Sequence, residues 1–352
     1  MTAQERWWSR DRHAARRPWL TTRNRVKAAI REHFELLGFT EVETAQTQLS
    51  PGNETHLHGV RMDMRSIAGD RAAAYLHTSP EFACKKLLAA GETRIFDFAR
   101  VFRDRERGRL HAPEFTMLEW YRAGDGYAAL MDDCADILGI AADAGGFANW
   151  AFRGRAVDPR RAPERLTLAE SFRRFAGIDL LATLSPTETD RDALAAAAAG
   201  QSIRVAADDS WSDIFSRVLV EKVEPNIGDE RPTILCEYPW PEAALARRKP
   251  GDPLVAERFE VYACGVELAN AFAELTDARE QRSRFEEDMA LKQEIYGERY
   301  PIDEELLAAL ECMPEASGAA LGFDRLAMLA AGAESVEDVL WTPPFNPFEA
   351  RA

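Results

Sequence analysis

Residues 101–122, VFRDRERGRLHAPEFTMLEWYR, place five basic side chains ahead of a carboxylate set between aromatic rings. Arg103, Arg105, Arg107, Arg109 and His111 offer donors suited to phosphate and carboxylate oxygens. Residues 113–122 alternate as a strand, so Phe115, Met117, Glu119 and Tyr121 share one face. Glu119 is poor core material: burying it without a cation would cost several kcal/mol or force it neutral. The spacing predicts two strands joined by a mobile charged loop, binding an anion at the loop and an amine on the sheet face. A solvated hairpin with a charged tip accounts for Arg105 to Arg109 but leaves Glu119 unexplained.

A second acidic pair lies in ERFEVYACGVELANAFAELTDAREQ. A two-residue turn at Cys264-Gly265 pairs Tyr262 with Glu267 and makes Glu260 and Glu267 diagonal neighbours. Two such carboxylates repel unless a shared proton or a cation intervenes; Mg²⁺ bridging them to phosphate oxygens fits, although exposed acids on a hairpin are common. Asn270, Phe272 and Glu274 have the opposite parity to Glu267. Ser79, Pro80 and Glu81 read as a helix start. In SGAALGFDRLAMLAAG, a glycine-rich strand runs into a helix: Gly322 lets a nucleotide approach the backbone, and Arg325 can lie along a base or grip a phosphate.

The elements carrying these residues follow from periodicity. Residues 22–37 predict a helix stopped by Gly38, with residues 1–19 a frayed terminus packing one Trp on the body. GFTEVETAQTQLSP then runs into a strand. Residues 127–140 and an alanine-rich stretch over 167–209 read as helical, with 145–165 a loop. Trp211, Ile214, Phe215, Val218, Leu219 and Val223 form an amphipathic stripe, and residues 231–239 a strand. Residues 276–296 predict a long charged helix, and residues 341–352 a proline-broken tail.

The chain has 352 residues, enough for a large core in one or two domains, and no run of 18 apolar residues. The N-terminus lacks a secretory apolar region, so the reading is a cytoplasmic protein with no membrane partner. Its five scattered cysteines argue for buried thiols over a disulfide framework or zinc site, and His56-x-His58 for a loop pair. A net charge of −15 argues against non-specific nucleic-acid binding.

FRDRERGRLHAPEFTMLEWY resembles motif 2 of class II aminoacyl-tRNA synthetases of the lysyl branch, most closely the truncated lysyl-tRNA synthetase paralogues that modify elongation factor P. The match extends over about residues 20–340, through TSPEF and the SGAALGFDRL motif 3. The resemblance implies an α+β fold: one catalytic domain over 20–341, an antiparallel sheet flanked by helices with a helical part at 139–230, preceded by an arm (1–19) and followed by a tail (342–352). About 20 residues cannot form the family's anticodon-binding β-barrel, so no efficient tRNA binding is expected. It further implies a homodimer, with Ala45 standing where the family has proline.

The resemblance also implies the chemistry: ATP and Mg²⁺ convert an amino acid to its acyl-adenylate, which a nucleophile then takes. Arg103 bridges carboxylate and α-phosphate, His111 and the loop arginines meet the outer phosphates, and Phe115 and Arg325 sandwich adenine. Asp104, Arg105, Glu106, Ala112, Leu268 and Gly322 complete the ATP site, and Glu260 and Glu267 hold the metal. Ser79, Pro80, Glu81, Glu119, Tyr121, Asn270, Phe272 and Glu274 line the amino-acid pocket. Their carboxylates suit two ammonium groups, hence lysine or an isomer. Lining by Asn270, Phe272 and Glu274 requires a bulge near Leu268 or Ala269. Ala320 stands where lysyl-tRNA synthetases have glycine and the elongation factor P enzymes alanine, which favours (R)-β-lysine. One departure lies at the nucleotide: the family's Arg-Asn-Glu is Arg103-Asp104-Arg105-Glu106, leaving Glu106 in a slipped loop or Arg105 as alternatives. The acceptor implied is a lysine ε-amine on elongation factor P. Two other readings stand beside it: a lysyl-adenylate synthetase serving another acceptor, and a catalytically silent binding protein.

Overall fold

Alternating strands build a nine-stranded sheet in the computed structural model, which describes residues 6–346. Its order is Thr40–Glu41, Arg94–Phe102, Glu114–Ala123, Ala316–Gly322, Val266–Ala273, Asp252–Ala263, Thr233–Pro239 and Glu164–Thr167, with Arg248–Lys249 branching from Asp252–Ala263. Pairing is antiparallel through the middle and parallel only at the two outermost pairs, an α+β arrangement.

Period-2 alternation divides the sheet into a packed face and an open face. On the packed face, Phe96, Leu118, Trp120, Ala271, Ala319 and Leu321 meet Ile30, Phe34, Ile137 and Leu326 from helices Arg10–Leu36, Tyr127–Gly145 and Phe323–Ala331. Phe34 lies 5.0 Å from the Phe96 ring and 5.6 Å from Trp120. Burying each such side chain stabilises by about 1.5–3 kcal/mol. On the open face, Glu81–Ala89, Ala278–Tyr296 and Glu304–Leu310 pack beside the strands around Phe82, Leu88, Phe285, Leu306 and Leu310.

Three expectations change. The first helix begins at Arg10, capped by Ser9, and runs unbroken across the expected 19/20 boundary with Pro18 inside it. Its first turns are anchored by the Arg16 guanidinium, which donates to the carbonyls of Glu337 (2.9 Å), Asp338 (3.3 Å) and Leu340. Residues 10–19 are therefore an integral part of the body; residues 1–5 of the expected arm and 347–352 of the expected tail lie outside the described residues. The stretch expected as a loop over 145–165 carries the hairpin Trp150–Phe152/Arg155–Val157. The helical region expected over 167–209 is broken into Leu168–Ser171, two short irregular turns and Arg191–Gly200, packed with Trp211–Val218 into a second apolar cluster. The cysteines are free, four of them buried, and His56 and His58 are bound to Tyr296 and Glu298.

Candidate functional site

A cavity of about 300 Å³ opens on the uncovered face of the sheet. Its floor comes from strand parity: Phe115, Met117, Glu119 and Tyr121 on Glu114–Ala123, then Gly318, Ala320 and Gly322 on the neighbouring strand, where Ala320 pairs with Glu119 and Gly318 with Tyr121. The hairpin Asp252–Ala263/Val266–Ala273 turns at Cys264 and Gly265, both at positive φ, and pairs Tyr262 with Glu267. Val261 then pairs with Ala269, leaving Leu268 as one extra residue. This bulge reverses the parity beyond it. Glu267, Asn270, Phe272 and Glu274 consequently all line the cavity.

One end of the cavity is acidic. Ser79 Oγ donates to Glu119 Oε1 at 2.5 Å and Tyr121 Oη to Glu119 Oε2 at 2.7 Å. Burial, then the Glu81 charge, push the Glu119 carboxyl up to about 8. Glu81 and Glu274 reach a common cation, Lys85, whose Nζ lies 2.5 Å from Glu81 Oε1 and 2.7 Å from Glu274 Oε2 with only 2% of its side chain exposed. Burial raises the Glu274 pKa and Lys85 opposes the rise. Glu274 Oε1 has no hydrogen-bond partner among the described residues. With all three carboxylates ionised, as a bound cation favours, they and the Lys85 ammonium carry a formal −2 at this end, the complement of two ligand ammonium groups.

The other end is cationic. Arg103 lies over the Phe115 ring at 5.4 Å, donates from Nε to the Thr78 carbonyl at 3.3 Å and stands 3.9 Å from Glu106. Arg325, at the start of Phe323–Ala331, donates to the carbonyls of Leu110 (3.1 Å) and Glu267 (2.9 Å), and to His111 Nε2 at 2.8 Å. Because arginine only donates, His111 Nε2 accepts, and the ring is neutral. Desolvation, then the Arg325 charge, hold the His111 pKa down accordingly. Ala112 and Gly322 complete this wall. Glu267 is half-exposed; desolvation in the cavity, then the Glu260 charge, raise its pKa.

Several expected residues stand elsewhere. Glu260 is buried behind the wall, its two oxygens accepting from Arg258 (2.8 Å) and Tyr262 (2.7 Å). Arg105 adopts φ 65° and turns out of the cavity to pair with Glu298 and lie over Tyr296. Asp104 spends its carboxylate on the Arg105 amide, and Arg107 reaches Glu337 and the Phe345 carbonyl. Arg105, Arg107 and Arg109 are therefore not in the wall, whereas Glu106 is. Of the two alternatives at this departure, the geometry brings Glu106 inward. Pro80, expected at the first helical position, is instead the N-cap residue of Glu81–Ala89 and is also outside the wall; Ser79, the expected cap, stands one position before it and accepts from the Glu81 amide at 3.0 Å. Sequence reasoning missed Lys85, Gly318 and Glu54. The i, i+4 spacing of Glu81 and Lys85 was the available signal for the first. Among the described residues, no group of three or more His, Cys, Asp or Glu side chains is arranged to hold a metal unaided.

Comparison with known proteins gives a consistent relationship. A family model described as class II tRNA synthetases (D, K and N) matches residues 1–345. A Proteus mirabilis protein named elongation factor P–(R)-β-lysine ligase is 39% identical over 333 residues, covering 93% of this chain and 95% of the relative. Proteins of the same name from Klebsiella pneumoniae and Sodalis glossinidius are each 40% identical, covering 92% and 91% of this chain and 94% and 93% of the relatives. No helix among the described residues is long and apolar enough to cross a membrane.

Proposed function

This chain belongs to the class II tRNA synthetases of the D, K and N type, and from that premise we propose that it is an ATP-dependent ligase. It activates (R)-β-lysine, or lysine, as the acyl-adenylate and transfers the acyl group to a lysine side chain of elongation factor P. The observation that carries this reading is the −2 acidic end of Glu81, Glu119, Glu274 and Lys85, set across one cavity from Arg103, His111 and Arg325. Such a cavity accepts a diammonium acid at one end and a polyphosphate at the other.

In the first step the substrate carboxylate, already ionised, attacks the α-phosphorus in line. An acyl O–P bond forms and the bond to pyrophosphate breaks, so positioning and charge neutralisation dominate. Arg103 bridges the carboxylate and the α-phosphate. His111 and Arg325 meet the nucleotide, with Phe115 and Arg325 on either side of adenine. Glu106, drawn inward beside Arg103, takes the acidic position in the nucleotide site. Mg²⁺ would be held by Glu267, with Glu260 behind it, and would supply neutralisation of the phosphate charge; such a cation would lower the Glu267 pKa that burial and the Glu260 charge raise. Ala320, placed between Glu119 and Asn270, adds a methyl to the floor beneath the amino-acid end, which favours β-lysine. The chain works as a homodimer in the cytoplasm and does not charge tRNA efficiently.

The test is ATP–pyrophosphate exchange with lysine, (R)-β-lysine and no amino acid, followed by intact-mass measurement of elongation factor P. Exchange stimulated most by β-lysine, with a lysyl-sized addition to the factor, is the expected outcome. Exchange without modification would remove the acceptor from the reading, and no exchange would remove the activity.

A further inference from the structure

Every carboxylate in the cavity wall has a partner in the structure except one. Glu81 and Glu274 share Lys85, Glu119 holds Ser79 and Tyr121, Glu106 faces Arg103, Glu267 faces Arg325, and Asp324 is paired with Arg23. Glu54 lines the same wall and, among the described residues, makes no side-chain hydrogen bond or ion pair. Its backbone is nonetheless held on both sides. Asn53 Nδ2 donates to the Pro301 carbonyl at 3.2 Å and Thr55 Oγ1 to Asp288 Oδ1 at 2.5 Å. Lys292, buried, donates to the carbonyls of Thr55 (2.9 Å) and Leu57 (2.7 Å). A fixed loop thus presents a free carboxylate to the cavity.

Resting on the proposed two-step ligase, we infer that Glu54 is the general base of the transfer step, accepting the proton that the acceptor ammonium must lose. A lysine acceptor is almost wholly protonated at neutral pH and has no lone pair to attack with. His111 already has Arg325 against its Nε2, and each of the other acids in the wall faces a cation or a hydroxyl donor. Glu54 is within electrostatic reach of both Arg103, beside the reacting phosphate, and Glu81, at the amine end. The charged groups that face it include Arg103 and Arg258, which lower its pKa, Glu81 and Asp288, which raise it, and the buried Lys292, a further cation beside it. Burial outweighs them and leaves the carboxylate more basic than a surface glutamate.

The step balances as follows. Glu54 takes one proton from the ammonium, and the freed nitrogen pair forms the C–N bond to the acyl carbon. The C–O bond to AMP breaks with its electron pair on the phosphate, and the second nitrogen proton passes to that phosphate. The amide, AMP and a protonated Glu54 result, and Glu54 returns its proton to solvent.

The experiment separates the two half-reactions. Preformed adenylate complexes of the wild type and of Glu54→Gln are mixed in single turnovers with elongation factor P and, separately, with hydroxylamine, which is neutral at pH 7.5 and needs no base. The expected result is a loss of roughly 10²–10⁴-fold in transfer to the factor. Pyrophosphate exchange and the hydroxylamine reaction should fall by less than tenfold. In the variant, transfer should also rise tenfold per pH unit, following the free amine. Equal losses in exchange and transfer, or no loss in transfer, would overturn the inference; a raised KM for the amino acid in exchange would instead make Glu54 a substrate-binding acid. Should the wild type leave the factor unmodified, propylamine in place of the factor tests the base independently of the acceptor.

Discussion

Occupying the acidic end with a diammonium ligand should expel a proton. Glu119 is pushed up to about 8 by burial and by Glu81, so at pH 7 it is roughly 90% protonated in the empty cavity. A ligand ammonium against it lowers that pKa by ~1–3 units, on the usual effect of an adjacent opposite charge. Binding at pH 7 then releases about 0.4–0.9 of a proton from Glu119, and at pH 9 about a tenth of one or less. Glu274, raised in the same direction, adds to the release. Affinity should therefore climb up to about tenfold per pH unit between pH 6 and 8, and flatten above. The stability linkage has the matching sign. Glu119 has a folded pKa raised above its unfolded value, so its contribution to stability is fully present below the ordinary carboxylate range and is lost as pH rises through about 8. A bound dication restores that loss. The assay is calorimetric titration of 1,5-diaminopentane, doubly charged at both pH 7 and pH 9, in buffers of different ionisation enthalpy. A binding enthalpy at pH 7 that does not depend on the buffer would refute the reasoning, as would the same proton release from Glu119→Gln.

Three substitutions probe the same geometry. Lys85→Met removes the one cation shared by Glu81 and Glu274; it should cost roughly 3–5 kcal/mol in urea denaturation, the range for breaking a buried pair, with partial recovery at low pH as the two acids take up protons. Gly318→Ala would set a Cβ 2.4 Å from both Glu274 Oε1 and Tyr121 Cε1; the KM for the amino acid in pyrophosphate exchange should rise more than tenfold while that for ATP changes little. Arg103→Ala should abolish exchange with the unfolding midpoint nearly unchanged, because its contacts are one carbonyl, one ring face and a loose pairing with Glu106.

The open face of the sheet was readable because its signal is local and periodic. Odd positions from Phe115 to Tyr121 gave away a strand whose charged member had to meet a ligand, and that strand spans Glu114–Ala123. The bulge at Leu268 was required by a mismatch of parity, and the observed register supplies it. The apolar period predicts the first helix only from residue 22, twelve residues after its start, because the force ordering Arg10 onward is Arg16 on carbonyls more than 320 positions away. No local pattern encodes such a contact.

Lys85 was hidden for a related reason. In EFACKKLLA a pair of lysines on a short helix reads as a solvated edge, and indeed Lys86 lies at the surface, reaching Asp303. Lys85 is buried because Glu274, just past the end of Val266–Ala273, is brought against the helix that carries Glu81, so its environment exists only once the helix has packed on the sheet. The acidic end was thus legible as residue types, but its net charge was not: three carboxylates alone suggest −3, and the inward ammonium makes it −2, the charge a diammonium acid can neutralise. Arg105 reverses the case. Its type departs from the resembling motif and invites a new contact with the nucleotide, yet at φ 65° the loop turns its side chain onto Glu298 and Tyr296. The backbone strain of a non-glycine residue in that region is offset by an ion pair and a cation–π contact, and the same turn sets Glu106 against the cavity beside Arg103. A substitution that looks disruptive in the sequence is, in the fold, what holds the neighbouring acid in place.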